Sequence, residues 1–297
     1  MRIRVHVLAL ALVVLCSTLA AAARGPLRVL VTNDDGVKAP GIDALVRELA
    51  TNPNLALTVI APAANQSGTG DQFTTTSITA TPSSTAGAFP ATAVSGFPAD
   101  TVLYGVLQAM PERPDLVVSG INFGQNIGEL VTLSGTIGAG LTAARLGIPA
   151  IAVSQGIGAT VSYDTAAHYV GQLVERFRKS RGVRAKRATR FGLRHALVVN
   201  VNFPTCASGS SRGVRLVPLG RATQVTRYAL TGATGSTQTF KPNIPPVNIF
   251  GSDCQSTVAN PQTDVQAMVN GFASATPLNA DLTTSANLRS FRFLVPR

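Results

Sequence analysis

Two adjacent carboxylates, Asp34 and Asp35, follow the apolar run Leu27 to Thr32 after one residue, Asn33. That run is rich in β-branched residues and predicts a buried strand, so the pair leaves the strand beside a hydrophobic core. Ionised carboxylates in such a place are costly unless a cation or hydrogen bonds compensate their charge. They are also the hard oxygen ligands that Mg²⁺, Mn²⁺ and Ca²⁺ prefer. The alternative interpretation is an ordinary turn in which both side chains are solvated.

Polar side chains also follow the next two predicted strands. Ser67 lies in a glycine-flanked turn after the strand Leu57 to Ala61. Asn122 and Asn126 lie in a glycine-rich loop after the strand Leu116 to Ser119. Ligands of open parallel sheets bind beyond the carboxyl ends of the strands, so these side chains are candidates for the same pocket. The serine alone is a weak signal, because Ser and Gly are common in loops.

The segment Ser134-Gly135-Thr136 begins a predicted helix. Backbone N–H groups and hydroxyls at a helix N-terminus form a ready site for phosphate. The alternative is that Ser134 only caps the helix. Together with the aspartates, Ser67 and the asparagine loop, this segment predicts a pocket that binds a metal ion and a phosphate group.

The scarcity of His and Cys limits the kind of metal site. The chain has 3 His and 3 Cys, which excludes a four-thiolate zinc site and makes a histidine-rich site improbable. Three cysteines are also too few for a disulfide-rich scaffold. Any metal is therefore expected on oxygen ligands.

Alternating strands and helices predict an α/β fold. Strands are expected at Leu27 to Thr32, Leu57 to Ala61, Leu116 to Ser119, Ala150 to Ser154 and Ala196 to Asn202. Helices are expected from Pro40, and at Thr101 to Met110, Thr136 to Leu146 and Asp164 to about Lys179. This order is typical of a mostly parallel sheet with helices on both faces. Beyond Pro204, short extended pieces and a Gly/Thr-rich loop at Thr231 to Thr239 predict a β-rich C-terminal appendage.

The first 23 residues have the pattern of an export signal. Arg2 and Arg4 precede the apolar run Val7 to Leu15, and small residues follow. Cleavage is expected near Ala22-Ala23, which leaves no membrane span. An uncleaved anchor is the alternative, although the run is shorter than the roughly 20 residues of a spanning helix.

Export has a consequence for the remaining cysteines. Cys206 and Cys254 would lie in an oxidising compartment, where a disulfide between them is plausible. Two free thiols are the alternative, because sequence does not show whether their Cα atoms come close enough to bridge.

The net charge of +11 suggests nucleic-acid binding, but the charge is local. Two of the 25 Lys and Arg belong to the export signal, and nine more lie between Arg176 and Arg194. That stretch has no aromatic residues between the basic ones for base stacking, so a solvated basic loop is expected and duplex binding is not.

The motif Gly209-Ser-Ser211-Arg-Gly213 fits G-x-S-x-G but lacks the strand before it and the helix after it, which argues against a serine hydrolase.

The three polar clusters belong to an ordered set of motifs that resembles the SurE survival-protein family. The matching segments are VTNDDGVKAPGI, VIAPAANQSG, GFPADTVLYG, PDLVVSGINFGQNIG, SGTIGAGLTAARLGIPAIAVS, VNVNFP and TDVQAMVNGFASATPLNADLT. They run from about Leu27 to Thr283. The resemblance implies a metal-dependent 5'/3'-nucleotidase and acid phosphatase.

The resemblance also implies which residues act. It places one divalent ion per subunit, Mg²⁺ or Mn²⁺, on the residues that match the family's ligands: Asp34, Asp35, Ser67 and Asn122. It places phosphate contacts at Asn126 and at Ser134-Gly135-Thr136. A Rossmann-like core at residues 24–204 is implied, with residues 205–297 completing the same domain and forming a homodimer or homotetramer.

Some positions depart from the family pattern. Gln66 stands where a basic residue often precedes the serine ligand, and Glu129-Leu130 and Leu133 replace other common pocket residues. The substrate preference therefore stays open, as does 5' versus 3' specificity.

The implied reaction is attack of a metal-activated water on phosphorus, with Asp34 or Asp35 accepting a proton. A nucleoside monophosphate is the expected substrate. The alternative function is an exported, non-catalytic protein that binds phosphate or nucleotide on the same fold.

Overall fold

A nine-stranded sheet forms the centre of the computed structural model, which describes residues 25–190, 197–221, 227–243 and 251–280. The strands are β1 Leu27–Thr32, β2 Leu55–Pro62, β3 Ala80–Ser84, β4 Pro90–Val94, β5 Leu116–Phe123, β6 Ala150–Gln155, β7 Leu197–Phe203, β8 Val214–Leu216 and β11 Ala273–Asn279. Their spatial order is β3-β4-β2-β1-β5-β6-β7-β11-β8. The six strands from β4 to β7 in this order are parallel, as the sequence pattern predicts.

Helices cover both faces of this sheet. They are α1 Pro40–Ala50, α2 Pro98–Tyr104, α3 Gly135–Arg145, α4 Asp164–Arg190 and α5 Asp264–Val269. One hydrophobic core contains Ile42 and Leu45 of α1 with Val170 of α4. The other contains Val102 of α2 with Ile137 of α3. Because apolar side chains leave both faces of the buried strands, each face needs a helical layer to exclude water.

Helix α2 begins three residues earlier than the predicted Thr101. Pro98 occupies its first turn, where a missing N–H costs nothing. The N–H of Phe97 donates to Oδ2 of Asp100 at 2.8 Å, which satisfies a backbone donor at this end. The apolar periodicity that we used for prediction starts only inside the helix, so it missed this boundary.

The C-terminal part of the chain joins the same sheet through β11, which pairs antiparallel with β7 and parallel with β8. The predicted loop at Thr231 to Thr239 is wrong: β9 Arg227–Thr234 and β10 Thr237–Asn243 form a separate antiparallel hairpin. Its Thr residues favour strands, and Gly235 at positive φ makes the turn. The sequence pattern also missed β3 and β4, which are only five residues long and contain no continuous apolar run.

Several predictions concern residues outside the described ranges. These are the export signal at residues 1–23, His195, and the side chains of the basic stretch from residue 181 onwards. The prediction of a basic loop is wrong for residues 176–190, because α4 continues beyond the expected Lys179 to Arg190. Within the described ranges, no helix combines the length and apolarity that crossing a membrane requires. Cys206 and Cys254 are joined by a disulfide with a Cα–Cα separation of 5.7 Å.

Candidate active site

Asp34 is buried at the carboxyl end of β1, with 2% of its surface exposed. Its Oδ1 accepts a hydrogen bond from Oγ1 of Thr136 at 2.7 Å, and its Oδ2 accepts one from the Thr136 N–H at 3.2 Å. Burial raises the pKa of this carboxyl despite these hydrogen bonds. The side chain is therefore held rigidly in an environment that disfavours its charge.

Asp35 is partly buried beside Asp34. Its Oδ2 accepts a hydrogen bond from the N–H of Phe123 at 2.8 Å, which ties β1 to the end of β5. Burial raises the pKa of Asp35 to about 6, and the charge of Asp34 adds to that rise. Among the described side chains, no Lys, Arg or His forms an ion pair with either carboxyl. In the described part of the chain, these two carboxyls are therefore stabilised by hydrogen bonds and not by a cationic side chain.

The loop after β2 is attached directly to this pair. The N–H of Gln66 donates to the backbone oxygen of Asp34 at 2.7 Å, and the next residue is the exposed Ser67. A Cβ at Gly138 would lie 2.0 Å from the backbone oxygen of Gly70, so the far end of the loop packs closely against α3. The loop thus brings the predicted serine ligand to the same edge of the sheet as the aspartates.

Asn122 lies in β5 and is 7% exposed. Its Nδ2 donates to the backbone oxygen of Gly124 at 2.5 Å, so Oδ1 is the amide atom that can serve as a ligand. The next residue, Phe123, supplies the N–H that binds Asp35. The structure therefore brings Asn122 and the aspartates to one place.

These donors fit a hard divalent cation. A buried and a partly buried carboxylate without a cationic partner among the described side chains favour a bound cation, and hydroxyl and amide oxygens complete an oxygen donor set. In the described part of the chain, no group of three or more His, Cys, Asp or Glu is arranged to hold a metal ion. Any metal here needs the neutral oxygens of Ser67 and Asn122, or water, beside Asp34 and Asp35.

The asparagine loop is held by residues that the sequence analysis did not identify. The N–H of Asn126 donates to Oδ1 of Asn202 at 2.7 Å, and its backbone oxygen accepts from Nδ2 of Asn200 at 2.7 Å. Its own Nδ2 donates to Oγ of Ser154 at 2.9 Å. Asn200 and Asn202 stand two positions apart in the otherwise apolar strand β7. This spacing could have indicated a polar contact in the core, because buried amides need hydrogen-bond partners.

Asp264 is a second residue that the sequence analysis missed. It is fully buried, and its Oδ2 accepts from the N–H of Gly128 at 3.0 Å. Its Oδ1 accepts from the N–H of Gly220 at 2.6 Å and from that of Val265 at 2.8 Å. The C-terminal part of the chain thereby holds the end of the loop that carries Asn126.

The segment at the start of α3 caps the helix and also holds Asp34. Oγ of Ser134 accepts from the N–H of Ile137 at 3.2 Å, so this serine caps the helix. A Cβ at Gly135 would lie 2.9 Å from Cβ of Asp34, which explains why only glycine fits there. Thr136 binds Asp34 with both its N–H and its hydroxyl. Phosphate binding by Ser134, Gly135, Thr136 and Asn126 stays a prediction.

The residues that a serine hydrolase would need do not form a site of this kind. His168 is exposed on α4, and its Nδ1 lies 3.2 Å from Oε1 of Glu48. Residues 209–213 lead into the short strand β8 rather than into a helix. Both observations agree with the rejection of a serine hydrolase.

Comparison with known proteins identifies the family. A family model described as "Survival protein SurE" matches residues 29–226. The chain belongs to the SurE family. The family resemblance and the α/β fold expected from the sequence are therefore confirmed.

Individual SurE relatives match over most of their length. The "5'-nucleotidase SurE" of Parvibaculum lavamentivorans is 34% identical over 264 residues, which cover 86% of this chain and 87% of that protein. The "5'-nucleotidase SurE" of Symbiobacterium thermophilum is 32% identical over 260 residues, covering 86% and 93% respectively. The crystal structure of the SurE protein from Aquifex aeolicus has a TM-score of 0.69 and 27% identity, and the match covers 90% of this chain and 99% of that one.

Proposed function

We propose that this protein is a metal-dependent phosphomonoester hydrolase of the 5'-nucleotidase type that acts on nucleoside monophosphates. The observation that carries the proposal is the adjacent pair formed by the buried Asp34 and the partly buried Asp35, whose carboxyls have no ion-pair partner among the described side chains. Membership of the SurE family, with relatives named 5'-nucleotidase, supports the same reaction.

One divalent ion per subunit, Mg²⁺ or Mn²⁺, would be held by Asp34, Asp35, Ser67 and Asn122. Such an ion supplies Lewis-acid polarisation of a phosphate oxygen and lowers the pKa of bound water. Neutral oxygens beside two carboxylates suit these hard ions better than zinc, which favours nitrogen and sulfur.

The two aspartates have different roles in this proposal. Both oxygens of Asp34 are bound by Thr136, so Asp34 is fixed in position. Only Oδ2 of Asp35 is bound by a backbone N–H, and Oδ1 is the oxygen that accepts a proton from the attacking water. Burial raises the pKa of Asp35 to about 6, which makes its carboxylate a stronger base than that of an ordinary, solvated aspartate.

The loop that carries Asn126 would orient the phosphate. Asn200 and Asn202 hold the backbone of Asn126 on both sides, so its position does not depend on the substrate. Preorganised polar groups stabilise developing charge without reorganising during the reaction. The N-terminus of α3, where the N–H of Thr136 binds Asp34, supplies a favourable dipole.

The test is phosphate release from an aryl phosphate and from nucleoside 5'- and 3'-monophosphates, with Mg²⁺, Mn²⁺ or EDTA. We expect EDTA to abolish activity and Asp34→Asn to lower kcat by at least about a thousandfold while the far-UV CD spectrum is unchanged. The matched control is Asp253→Asn, since Asp253 is an exposed carboxylate near the disulfide. Full activity of Asp34→Asn would refute the metal site, and nucleotide binding without turnover would favour the non-catalytic alternative.

We further propose that the protein is exported and forms a homodimer or homotetramer. The disulfide between Cys206 and Cys254 supports export, because disulfides persist in oxidising compartments. Exposed apolar side chains on the β9–β10 hairpin, Tyr228, Leu230 and Phe240, support self-association. N-terminal sequencing of the secreted protein should begin near residue 23, and light scattering should give a mass of two or four subunits.

A further inference from the structure

The C-terminal half of α4 carries a high density of positive charge. The sequence has eight Lys or Arg between Arg176 and Arg190, and no Asp or Glu in residues 176–252. The acid that directly precedes this run, Glu175, pairs with Arg178 at 2.7 Å and with Lys179 at 3.3 Å. A single carboxylate therefore stands at the start of a run of eight cations.

The helix sorts these charges by face. α4 extends over Asp164–Arg190, so the whole run is helical. At 3.6 residues per turn, six positions of the run fall within a sector of about 100°. These positions, called the basic sector below, are Arg176, Lys179, Val183, Lys186, Arg187 and Arg190. Five of the six are basic, and Val183 is the sixth.

The basic sector lies on the side of α4 away from the core. Val170, Val174 and Phe177 pack into the core, and their positions on the helix are centred roughly 150° from the sector. The described side chains of the sector agree, because Arg176 is exposed and the side chain of Lys179 is 71% exposed. The helical register places the other members of the sector on the same face.

The basic sector is also remote from the candidate active site. α4 follows the carboxyl end of β6, and the chain then enters β7 at its amino end, parallel to β6. The helix therefore runs back towards the amino ends of the strands, and its 27 residues span about 40 Å. The six residues of β6 span only about 20 Å. The basic half of α4 thus lies at the amino edge of the sheet, opposite the carboxyl ends where Asp34 and Asp35 stand.

The composition of the basic sector favours a lipid surface over a nucleic acid. It contains no aromatic residue on which a base could stack, and no Asn or Gln that could read a base edge. Clusters of four to eight Lys or Arg on a helix are typical of electrostatic binding to anionic lipids. With Val183 as its one apolar position, the sector can adsorb on headgroups but has little to insert between acyl chains.

We propose that the basic sector of α4 binds the surface of a negatively charged lipid bilayer. The partner is the layer of anionic headgroups, and five cations along about 20 Å of one helix face supply the attraction. The inference goes beyond the proposed function and does not depend on it. A protein bound in this way keeps the carboxyl edge of its sheet in water, where soluble substrates reach Asp34 and Asp35.

The first experiment is co-sedimentation with vesicles of phosphatidylcholine, either alone or mixed with an equal amount of phosphatidylglycerol. We expect binding to the mixed vesicles only, and its loss at about 1 M salt, where the Debye length falls to about 3 Å. The helix variant replaces Arg176, Lys186, Arg187 and Arg190 by Gln, which keeps a good helix former at each position. Each Lys or Arg near such a surface strengthens binding about fivefold, so affinity for the mixed vesicles should fall at least about a hundredfold.

The matched control removes four charges elsewhere on the surface. It replaces four exposed residues by Gln: Lys38, Arg113, Arg221 and Lys241. This control has the same net charge as the helix variant and should keep most of the vesicle binding. Both variants have the same N-terminus, so residues 1–23 do not contribute to a difference between them. Equal affinities of the two variants, or no binding of the unmodified protein to the mixed vesicles, would overturn the proposal.

A second variant separates charge from the identity of the side chains. Replacing Arg176, Arg187 and Arg190 by Lys keeps every charge and should leave vesicle binding unchanged, because the attraction depends on net charge near the headgroups. A loss as large as that of the helix variant would contradict an electrostatic surface contact. A duplex oligonucleotide serves as the competing ligand, and tighter binding to it than to the mixed vesicles would identify a nucleic acid as the partner and refute the lipid assignment.

Discussion

Asp264 provides a sharp test of how the C-terminal part of the chain supports the site. Its carboxylate is fully buried and accepts three backbone hydrogen bonds, from Gly128, Gly220 and Val265. In the variant Asp264→Asn, the amide oxygen can still accept from Gly220 and Val265. The NH₂ group then faces the N–H of Gly128, and neither donor has an acceptor.

The expected loss of stability follows from that one broken contact. A lost hydrogen bond to a charged acceptor and an unpaired buried N–H cost several kcal/mol, and removal of a buried charge offsets part of this. We expect Asp264→Asn to lower the free energy of unfolding by roughly 1–3 kcal/mol. Asp264→Ala leaves all three donors unpaired and should cost about 3–6 kcal/mol, a large share of the roughly 5–15 kcal/mol of a typical domain.

Urea denaturation measures this effect. With a slope of about 2 kcal/mol per molar, Asp264→Asn should shift the midpoint downwards by about 0.5–1.5 M. Its kcat should also fall, because Gly128 ends the loop that carries Asn126. The control Asp253→Asn removes an exposed carboxylate and should stay within about 0.5 kcal/mol of the unmodified protein. Equal urea midpoints for Asp264→Asn and Asp253→Asn would refute the reasoning.

Other predictions test the remaining parts of the site. Gly135→Ala places a Cβ 2.9 Å from Cβ of Asp34, so we expect a loss of about 1–3 kcal/mol together with lower activity, and normal kinetics would contradict the close approach. The pKa of Asp35 rises from 3.8 to about 6 on folding, so the metal-free protein binds more protons than the unfolded chain in this range. Its melting temperature in EDTA, measured relative to Asp35→Asn, should therefore fall as pH rises from about 4 to 6; a rise would show that the sign is wrong. Replacing both Cys206 and Cys254 by Ser opens a loop with a sequence separation of 48 and should cost about 4 kcal/mol, which calorimetry under non-reducing conditions can measure.

The metal-ligand candidates were predictable because each stands where a predicted parallel strand ends. Asp34, Ser67 and Asn122 come from three different strands, and the alternation of strands and helices places their ends at one edge. Strand β1 ends at the predicted residue, since an apolar β-branched run next to polar turn residues is an unambiguous local signal. The sequence pattern missed the hairpin of β9 and β10, because polar and apolar residues alternate only weakly along these strands. Several of their apolar side chains are also exposed.

The residues that hold the site were much harder to predict. Asn200, Asn202 and Asp264 act on Asn126 and Gly128 from 74 to 136 positions away along the chain. Their hydrogen bonds form only when β7 and α5 are packed beside the loop, and no local pattern encodes a partner at that distance. The rise in the pKa of Asp35 is likewise a consequence of burial, which residue type alone does not reveal.

Local sequence therefore predicted the oxygen donors of the candidate site, the end of β1 and the family, because side-chain type and spacing are properties of the chain. The packed fold established which carboxylate oxygen stays available and which donors hold the asparagine loop. These depend on distances between residues remote in sequence, and on the exclusion of water around them. Such properties exist only once the sheet and its two helical layers have assembled.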